Sequence, residues 1–431
     1  MTVESKDHAP EGALPTLRAA AAAMHAVQRG QDPAEAIARL GVTAAEYRRL
    51  SKAVEARRKA KLVGRVTLAF HDVGPSAEAD LREDVSAVVA VGDGECLWIG
   101  ADEGASLERL SARRDATGRI EGYGDHVRFD LHDFFDFPGE RDEEADVEGM
   151  AIADGFLWIV GSHSLKRKKP KGDDDPEAAL EALTTVRREA NRFLLGRIPL
   201  VASDRPGVPT LAKTAPAIDG GRRKRRAGAL SMTTRGNPLS RLLASDVHLG
   251  PFLQIPSKDN GFDVEGMAVA GDRVFLGLRG PVLRGWATIL EVAFKAKKDG
   301  RLKLKPFADD QKVRKHFLDL DGLGVRSLLM DGADFLILAG PTMDLDGPVR
   351  LYRWRGALDA QASSVVAADA VEHVLDLPFG EGDDHAEGAT FVRLAPEAPE
   401  SLLVAYDSPS RSRLVREGGV LADLFEPPTL D

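Results

Sequence analysis

The stretch DVEGMAIADGFLWIVGS (146–162) returns as DVEGMAVAGDRVFLGLR (263–279), and this recurrence decides the fold. Both copies run Asp-Val-Glu-Gly-Met-Ala, then a turn, then an apolar run. Three copies are more diverged: DVSAVVAVGDGECLWIG (84–100), GVRSLLMDGADFLILAG (324–340) and HAEGATFVRLAPEAPESLLVAY (385–406). Successive copies start 62, 117, 61 and 61 residues apart. A near-constant period means that one supersecondary unit has been copied along the chain. It also restricts where chemistry can sit, because equivalent positions of all the copies meet at one place.

Each unit offers four candidate strands, bounded by Gly, Asp and Pro. The first follows the Glu-Gly pair, as in GMAIA (149–153) and GMAVA (266–270). The second is the apolar run, CLWIG, FLWIV, VFLGL, FLILA or LLVAY. The third alternates in SLERL (106–110), RFLLGRIPL (192–200), TILEVAF (288–294), VRLYRW (349–354) and RLVRE (413–417). The fourth precedes the next copy, in VRFDL (127–131), FLQIP (252–256), HFLDL (316–320) and HVLDL (373–377). Four antiparallel strands per unit, repeated radially, make a β-propeller. The predicted fold is therefore all-β, a β-propeller over residues 63–431. Five blades are legible, and six is the alternative because the 117-residue interval has room for a degenerate unit. VTLAF (66–70) is placed to complete the last blade and hide its open edge, with VLADLF (420–425) competing for that position.

Residues 1–62 lack the repeat and form a helical N-terminal arm. LPTLRAAAAAMHAVQRG reads as a helix closed by Gly30, DPAEAIARLG as one opened by Asp32-Pro33, and VTAAEYRRLSKAVEARRKAK as one opened by Thr43 with Glu46 completing a capping box. Arg48, Arg49, Arg57 and Arg58 offer phosphate contacts of a helix-turn-helix kind. Interleaved acidic residues favour instead an arm that packs on the body or on a partner. An insertion at about 201–250 interrupts the propeller, with NPLSRLLASDVHLGPF (237–252) reading as a short helix. Two basic runs, KRKKPK (166–171) and RRKRR (222–226), read as solvated loops or as a sleeve for a polyanion such as a phosphorylated substrate or RNA.

The formal net charge of −10 works against nucleic acid and anionic membranes as partners. Hydrophobic residues make up 43% and charged residues 29%, as in ordinary globular chains. The start of the chain, MTVESKDHAPEGALP, lacks the basic and apolar regions of a signal peptide, and no segment reaches membrane-spanning length. With a single cysteine, Cys96, in a strand-like run, the expected compartment is the cytoplasm. Trp98 and Trp158 read as core residues.

The repeat places Ser86, Glu148, Glu265, Arg326 and Glu387 in one column. Two residues earlier stand Asp84, Asp146, Asp263 and His385, with Asp384 beside the histidine. Carboxylates gathered at one channel mouth raise each other's pKa and need compensation. Arg326 is one compensator, and a hard divalent cation such as Ca²⁺ or Mg²⁺ is the other. A second column, after the apolar run, holds Asp102-Glu103, Ser162-His163-Ser164, Arg279, Pro341-Thr342 and Asp407-Ser408. If strands simply alternate, this column is expected at the opposite end of the ring. The Asp-x-Glu-Gly motif also has an architectural reading, with Glu accepting backbone N–H bonds and Gly permitting a tight bend.

DVEGMA, WIVGSHS, NRFLLGRIPL, KDNGFDVEGMAV, LRGPVLRGWA, ILAGP and DDHAEG, in this order, resemble the bacterial family called domain of unknown function 3616, over roughly residues 64–425. The resemblance implies a β-propeller and brings no established reaction. More distantly, Asp-x-Glu-Gly looks like the pattern of esterase-like phytases, which implies phosphoester hydrolysis; Asp146, Glu148, Asp263, Glu265 and Glu387 match it, whereas Ser86 and Arg326 depart from it. The expected function is a metal-dependent hydrolase of an anionic ester, most simply a phosphoester. Glu148, Glu265 and Glu387, with Asp146 and Asp263, hold the cation. Arg279 and Arg326 clamp the anionic small-molecule substrate, and His163 shuttles protons. The alternative is a non-catalytic propeller scaffold for a protein partner.

Overall fold

The computed structural model describes residues 16–71, 80–416 and 418–428. The opening MTVESKDHAPEGALP and the last residue of RLVRE lie outside the described residues. The chain divides into two compact units, one up to Lys59 and one from Ala60.

The first unit holds helices Leu17–Gln28, Pro33–Leu40 and Ala44–Arg58. Thr16, Asp32 and Thr43 cap them, each side chain accepting from a backbone N–H of the first turn. The box at Thr43 is reciprocal: Glu46 N donates to Thr43 Oγ1 at 3.3 Å, and Thr43 N to Glu46 Oε2 at 2.7 Å. Ala20, Met24 and Val54 form a small core with Tyr47 and Leu50 against it.

The second unit is mostly β and propeller-like. The inner strands of the five repeats are Val85–Val91, Val147–Ala153, Asp263–Ala270, Gly324–Asp331 and His385–Arg393. Each pairs antiparallel with the apolar run that follows it. Each inner strand packs on the next, and the fifth packs on the first. Glycine after the motif glutamate makes this approach possible. A Cβ on Gly266 would lie 2.9 Å from Leu328 Cγ, and one on Gly388 would lie 2.9 Å from Val88 Cγ1 of the first repeat.

Second strands such as Cys96–Ala101 and Phe156–Gly161 are buried along their whole length, because their two faces meet neighbouring sheets. Trp98 therefore packs with Met150, Leu157 and Ile159 of the following repeat, and Trp158 joins the next core. Cys96 is fully buried, which pushes its thiol up to about 12. Among the described residues no helix is long and apolar enough to cross a membrane.

The two termini do not compete for one position. VLADLF lies within Gly419–Phe425, the third strand of the last repeat, and VTLAF lies within Leu62–Ala69 and the residue after it; that strand pairs antiparallel with Gly419–Phe425 from Leu62↔Phe425 to Ala69↔Gly419. RLVRE supplies only the short strand Leu414–Val415. FLQIP is not a strand: Pro251 lacks an N–H for a ladder, and Gly250–Gln254 closes into a 3₁₀ turn. The second repeat instead completes its sheet with Gly228–Ala229. Helix Pro238–Leu243 lies in the expected place, whereas helix Pro176–Thr184, capped by Asp175, is not foreseen by the sequence reading.

Candidate functional site

One local irregularity builds the site. In every repeat the strand register skips the third motif residue: Val85↔Ala101 is followed by Ala87↔Gly100, and Val147↔Gly161 by Gly149↔Val160. The same skip occurs at Glu265, Arg326 and Glu387. These are β-bulges, which re-aim a side chain out of the alternating pattern. Ser86, Glu148, Glu265, Arg326 and Glu387 are the five bulge residues. Sequence periodicity places them in one column, but a bulge leaves no compositional mark.

The second column is at the same end, not the opposite one. Antiparallel pairing sets the start of each inner strand beside the end of its partner, as in Asp263↔Gly280 and His385↔Asp407. Arg279 thus reaches back, with Nη2 2.7 Å from Asp263 Oδ2 and Nε 2.9 Å from Glu265 Oε1. Arg326 Nη1 lies 3.1 Å from Glu265 Oε2 and also contacts Glu387 Oε1. One guanidinium therefore ties the third, fourth and fifth repeats together. A third, Arg192, donates from Nη1 to Asp146 Oδ2 at 2.6 Å and from Nε to Glu189 Oε2 at 2.6 Å, and it also contacts Glu144. Its only sequence signal is its place inside NRFLLGRIPL. Ser86 Oγ donates to Val147 O at 2.5 Å, joining the first repeat to the second.

Carboxyls outnumber guanidiniums here. Glu148 makes no hydrogen bond or ion pair among the described residues. It is half-buried and lines the central channel. Burial, then Asp146, Glu265, Glu387 and Asp263, hold its carboxyl well above the ordinary carboxylate range. Asp102 is pushed up to about 9 by burial and by Asp146, Asp407 and Asp84, and its Oδ1 has no hydrogen-bond partner. Asp84 rises to about 7 mainly through burial, next to Glu103 and Asp407. Burial lifts Glu387 to about 8 and Asp263 to about 7, although Arg326 and Arg279 oppose it.

His163 belongs to the scaffold of this end. Its Nδ1 donates to Gly161 O at 2.8 Å, and its Nε2 accepts from Asn237 Nδ2 at 2.7 Å. Burial pulls its pKa down to about 4, so the ring is neutral with both nitrogens engaged. Asp146 and His163, at φ 50° and 58°, both hold left-handed backbone, which costs about 1 kcal/mol or more for a residue with a side chain. The structure thus gathers Asp146, Glu148, Asp263, Glu265, Glu387, Arg279 and Arg326, and sets His163 behind them. Asn237, which orients the histidine, carries no sequence signal beyond its role as a helix cap.

Among the described residues no three His, Cys, Asp or Glu side chains are arranged to hold a metal ion. Where the carboxylates converge, guanidinium groups lie between them. The central channel, about 250 Å³, runs past Glu148 between apolar side chains of the inner strands, among them Val88, Met150, Met267 and Leu328.

No curated protein matches the chain. Among solved structures it is similar to an engineered GH43 glycoside hydrolase with endo-xylanase and exo-arabinofuranosidase activity (9% identity, 83% of this chain and 52% of the other, TM-score 0.36). It is also similar to a xylan β-1,4-xylosidase from Bacillus halodurans C-125 (11% identity, 81% and 54%, TM-score 0.35). A third is the Cps50 (Swd1) β-propeller domain of Myceliophteria thermophila (9% identity, 85% and 99%, TM-score 0.29). The chain spans about half the length of the first of these proteins. Likenesses this weak carry no argument about activity. A family model matches residues 84–423, and the chain belongs to that family, described as "Protein of unknown function (DUF3616)".

Proposed function

We propose that the protein is a five-bladed propeller that hydrolyses a neutral oxygen-linked bond, an ester or an acetal, at the carboxyl cluster, with Glu148 as general acid. The observation that carries this reading is the Glu148 carboxyl, which lines the channel, has no hydrogen-bond or ion-pair partner among the described residues, and is held well above the ordinary carboxylate range. An unpaired acid with a raised pKa in a cavity is what proton donation to a leaving group requires. Five blades fit the five inner strands and the closing strand Leu62–Ala69.

A neutral substrate suits the electrostatics better than the anionic ester expected from sequence. Arg279 and Arg326, assigned there to clamp an anion, are engaged by Asp263, Glu265 and Glu387. The donor set likewise does not fit the expected Ca²⁺ or Mg²⁺, so no step is routed through a cation.

In the hydrolytic step, water oxygen bonds to the substrate carbon as its bond to the leaving oxygen breaks. Glu148 passes its proton to that oxygen. The proton of the attacking water goes to Glu387, which at about 8 is a stronger base than an ordinary carboxylate once ionised. Proton exchange between the two carboxyls through solvent resets the pair. Activity should therefore rise with pH through about 8 and fall only where Glu148 ionises. Assay of p-nitrophenyl acyl esters and p-nitrophenyl glycosides, wild type against Glu148→Gln, tests the assignment. Turnover abolished by the substitution supports it. Absence of turnover across the panel, or turnover indifferent to the substitution, refutes it.

A second reading is favoured by Arg326, which bridges side chains from three repeats. In that reading the cluster is a ring lock in a non-catalytic scaffold for a protein partner.

A further inference from the structure

The basic run RRKRR, left aside by the site above, lies at the other end of the sheets. Strand pairing Thr214↔Arg226 and Ala215↔Arg225 orders it, and the turn around Gly300 braces it. A Cβ on Gly228 would lie 2.2 Å from Gly300 O, so insertion and turn meet backbone to backbone. Between them is a cavity of about 340 Å³. Arg223, Lys224, Arg225 and Arg226 form one wall, and Lys297 and Lys298 the other. Arg197 forms the floor, with its guanidinium carbon 4.0 Å from the Phe156 ring centre and 5.1 Å from that of Trp158.

These cations line one cavity without matching carboxylates. Arg223 is anchored to Ala296 O at 2.8 Å and Arg225 to Leu200 O at 3.0 Å, which fixes the walls. Lys224, Lys297 and Lys298 make no side-chain ion pair or hydrogen bond among the described residues. Arg197 Nε is buried with no hydrogen-bond partner. Of the nearby acids, Asp299 is paired with Arg301 at 2.7 Å and Asp272 with Lys305, leaving Asp154 as the acid that acts on Arg197. Positive charges outnumber carboxylates around this cavity, in a chain whose net charge is −10, so an anion seated there meets several cationic donors at once.

We propose that this cavity binds a small, multiply charged phosphate anion, the polyphosphate part of a phosphorylated small molecule. A half-open cavity of this volume has room for a compact anion, whereas a nucleic-acid strand needs a longer track along its backbone.

The test is calorimetric titration of the whole protein with inorganic tripolyphosphate, alongside a single-stranded oligouridylate. Saturable tripolyphosphate binding is expected, weakened about tenfold or more when Lys297→Ala and Lys298→Ala remove two unpaired charges. The melting temperature of the unliganded variant should be unchanged, since neither ammonium has a partner to lose. Lys169→Ala with Lys171→Ala, in the other basic run, should leave binding intact. So should Glu148→Gln, which separates this site from the carboxyl cluster. The proposal is overturned by absence of tripolyphosphate binding, or by equal loss in the Lys169/Lys171 variant, which would indicate bulk charge. It is also overturned if oligouridylate binds more tightly and loses that binding in the Lys297/Lys298 variant, which would make this a polymer surface.

Discussion

Replacing Arg326 by methionine removes the guanidinium shared by Glu265 and Glu387 while keeping much of its apolar stem. Breaking a buried ion pair from one side typically costs about 3–5 kcal/mol. The cost here should depend on pH, because Glu387 ionises at about 8. At pH 6 it is protonated with or without Arg326. The loss is then mainly hydrogen bonding to Glu265, which keeps Arg279 at 2.9 Å, and roughly 2 kcal/mol is expected. At pH 9 the wild-type carboxyl is ionised against Arg326, whereas the variant must retain its proton or bury an unpaired charge. A raised folded-state pKa means that stability falls as pH rises, and Arg326→Met raises that pKa further. One pH unit above 8 therefore adds about 1.4 kcal/mol to the penalty. Urea unfolding of both proteins at pH 6 and pH 9 measures the difference, and with Glu387→Gln in both backgrounds the Arg326→Met penalty should be the same at the two pH values. An equal penalty at both pH values would refute the assignment of Arg326 and Glu387 as a coupled pair.

Asp102→Asn should stabilise the protein on the alkaline side. The native state holds a proton up to about 9 that the unfolded chain releases near 4, so wild-type stability falls across that window. A gain of about 1 kcal/mol or more at pH 8.5 relative to pH 5, read from urea midpoints, is expected. Gly388→Ala should cost about 1–3 kcal/mol through the contact of its Cβ with Val88, while Gly172→Ala, with nothing within 4 Å, should cost little; thermal unfolding compares them. The His163 ring, held near 4, should show no titration between about pH 5.5 and 8 in its NMR resonances, and an inflection near 6.5 would contradict its burial.

Much of the ring was legible because the Asp-x-Glu-Gly motif and the apolar run after it return about every 60 residues, or twice that, and side-chain identity alone shows this. The capping residues Thr16, Asp32 and Thr43 likewise announce their helices locally. What escaped was set by tertiary pairing. FLQIP has the apolar content of a strand, but Pro251 and the returning insertion leave it no ladder. Whether VTLAF or VLADLF closed the last sheet depended on which third strand was long enough to pair, and RLVRE gave only two residues to it. The glutamate column was readable, and its partners were not. Arg192 reaches Asp146 from 46 residues away, and Arg279 reaches Glu265 only because hairpin geometry returns the chain to the same end. The bulge that aims all five column residues is a matter of register, to which composition is blind.

The proposed hydrolysis needs a protonated, unpartnered Glu148, and infrared difference spectroscopy reads that state directly. At pH 7 the spectrum of wild type minus Glu148→Gln should contain a protonated-carboxyl C=O stretch, with the melting temperature of the variant equal to or above that of wild type. A difference spectrum with only an ionised-carboxylate band, or a variant that loses stability, would mean that Glu148 is a paired structural carboxylate and would contradict its assignment as the general acid.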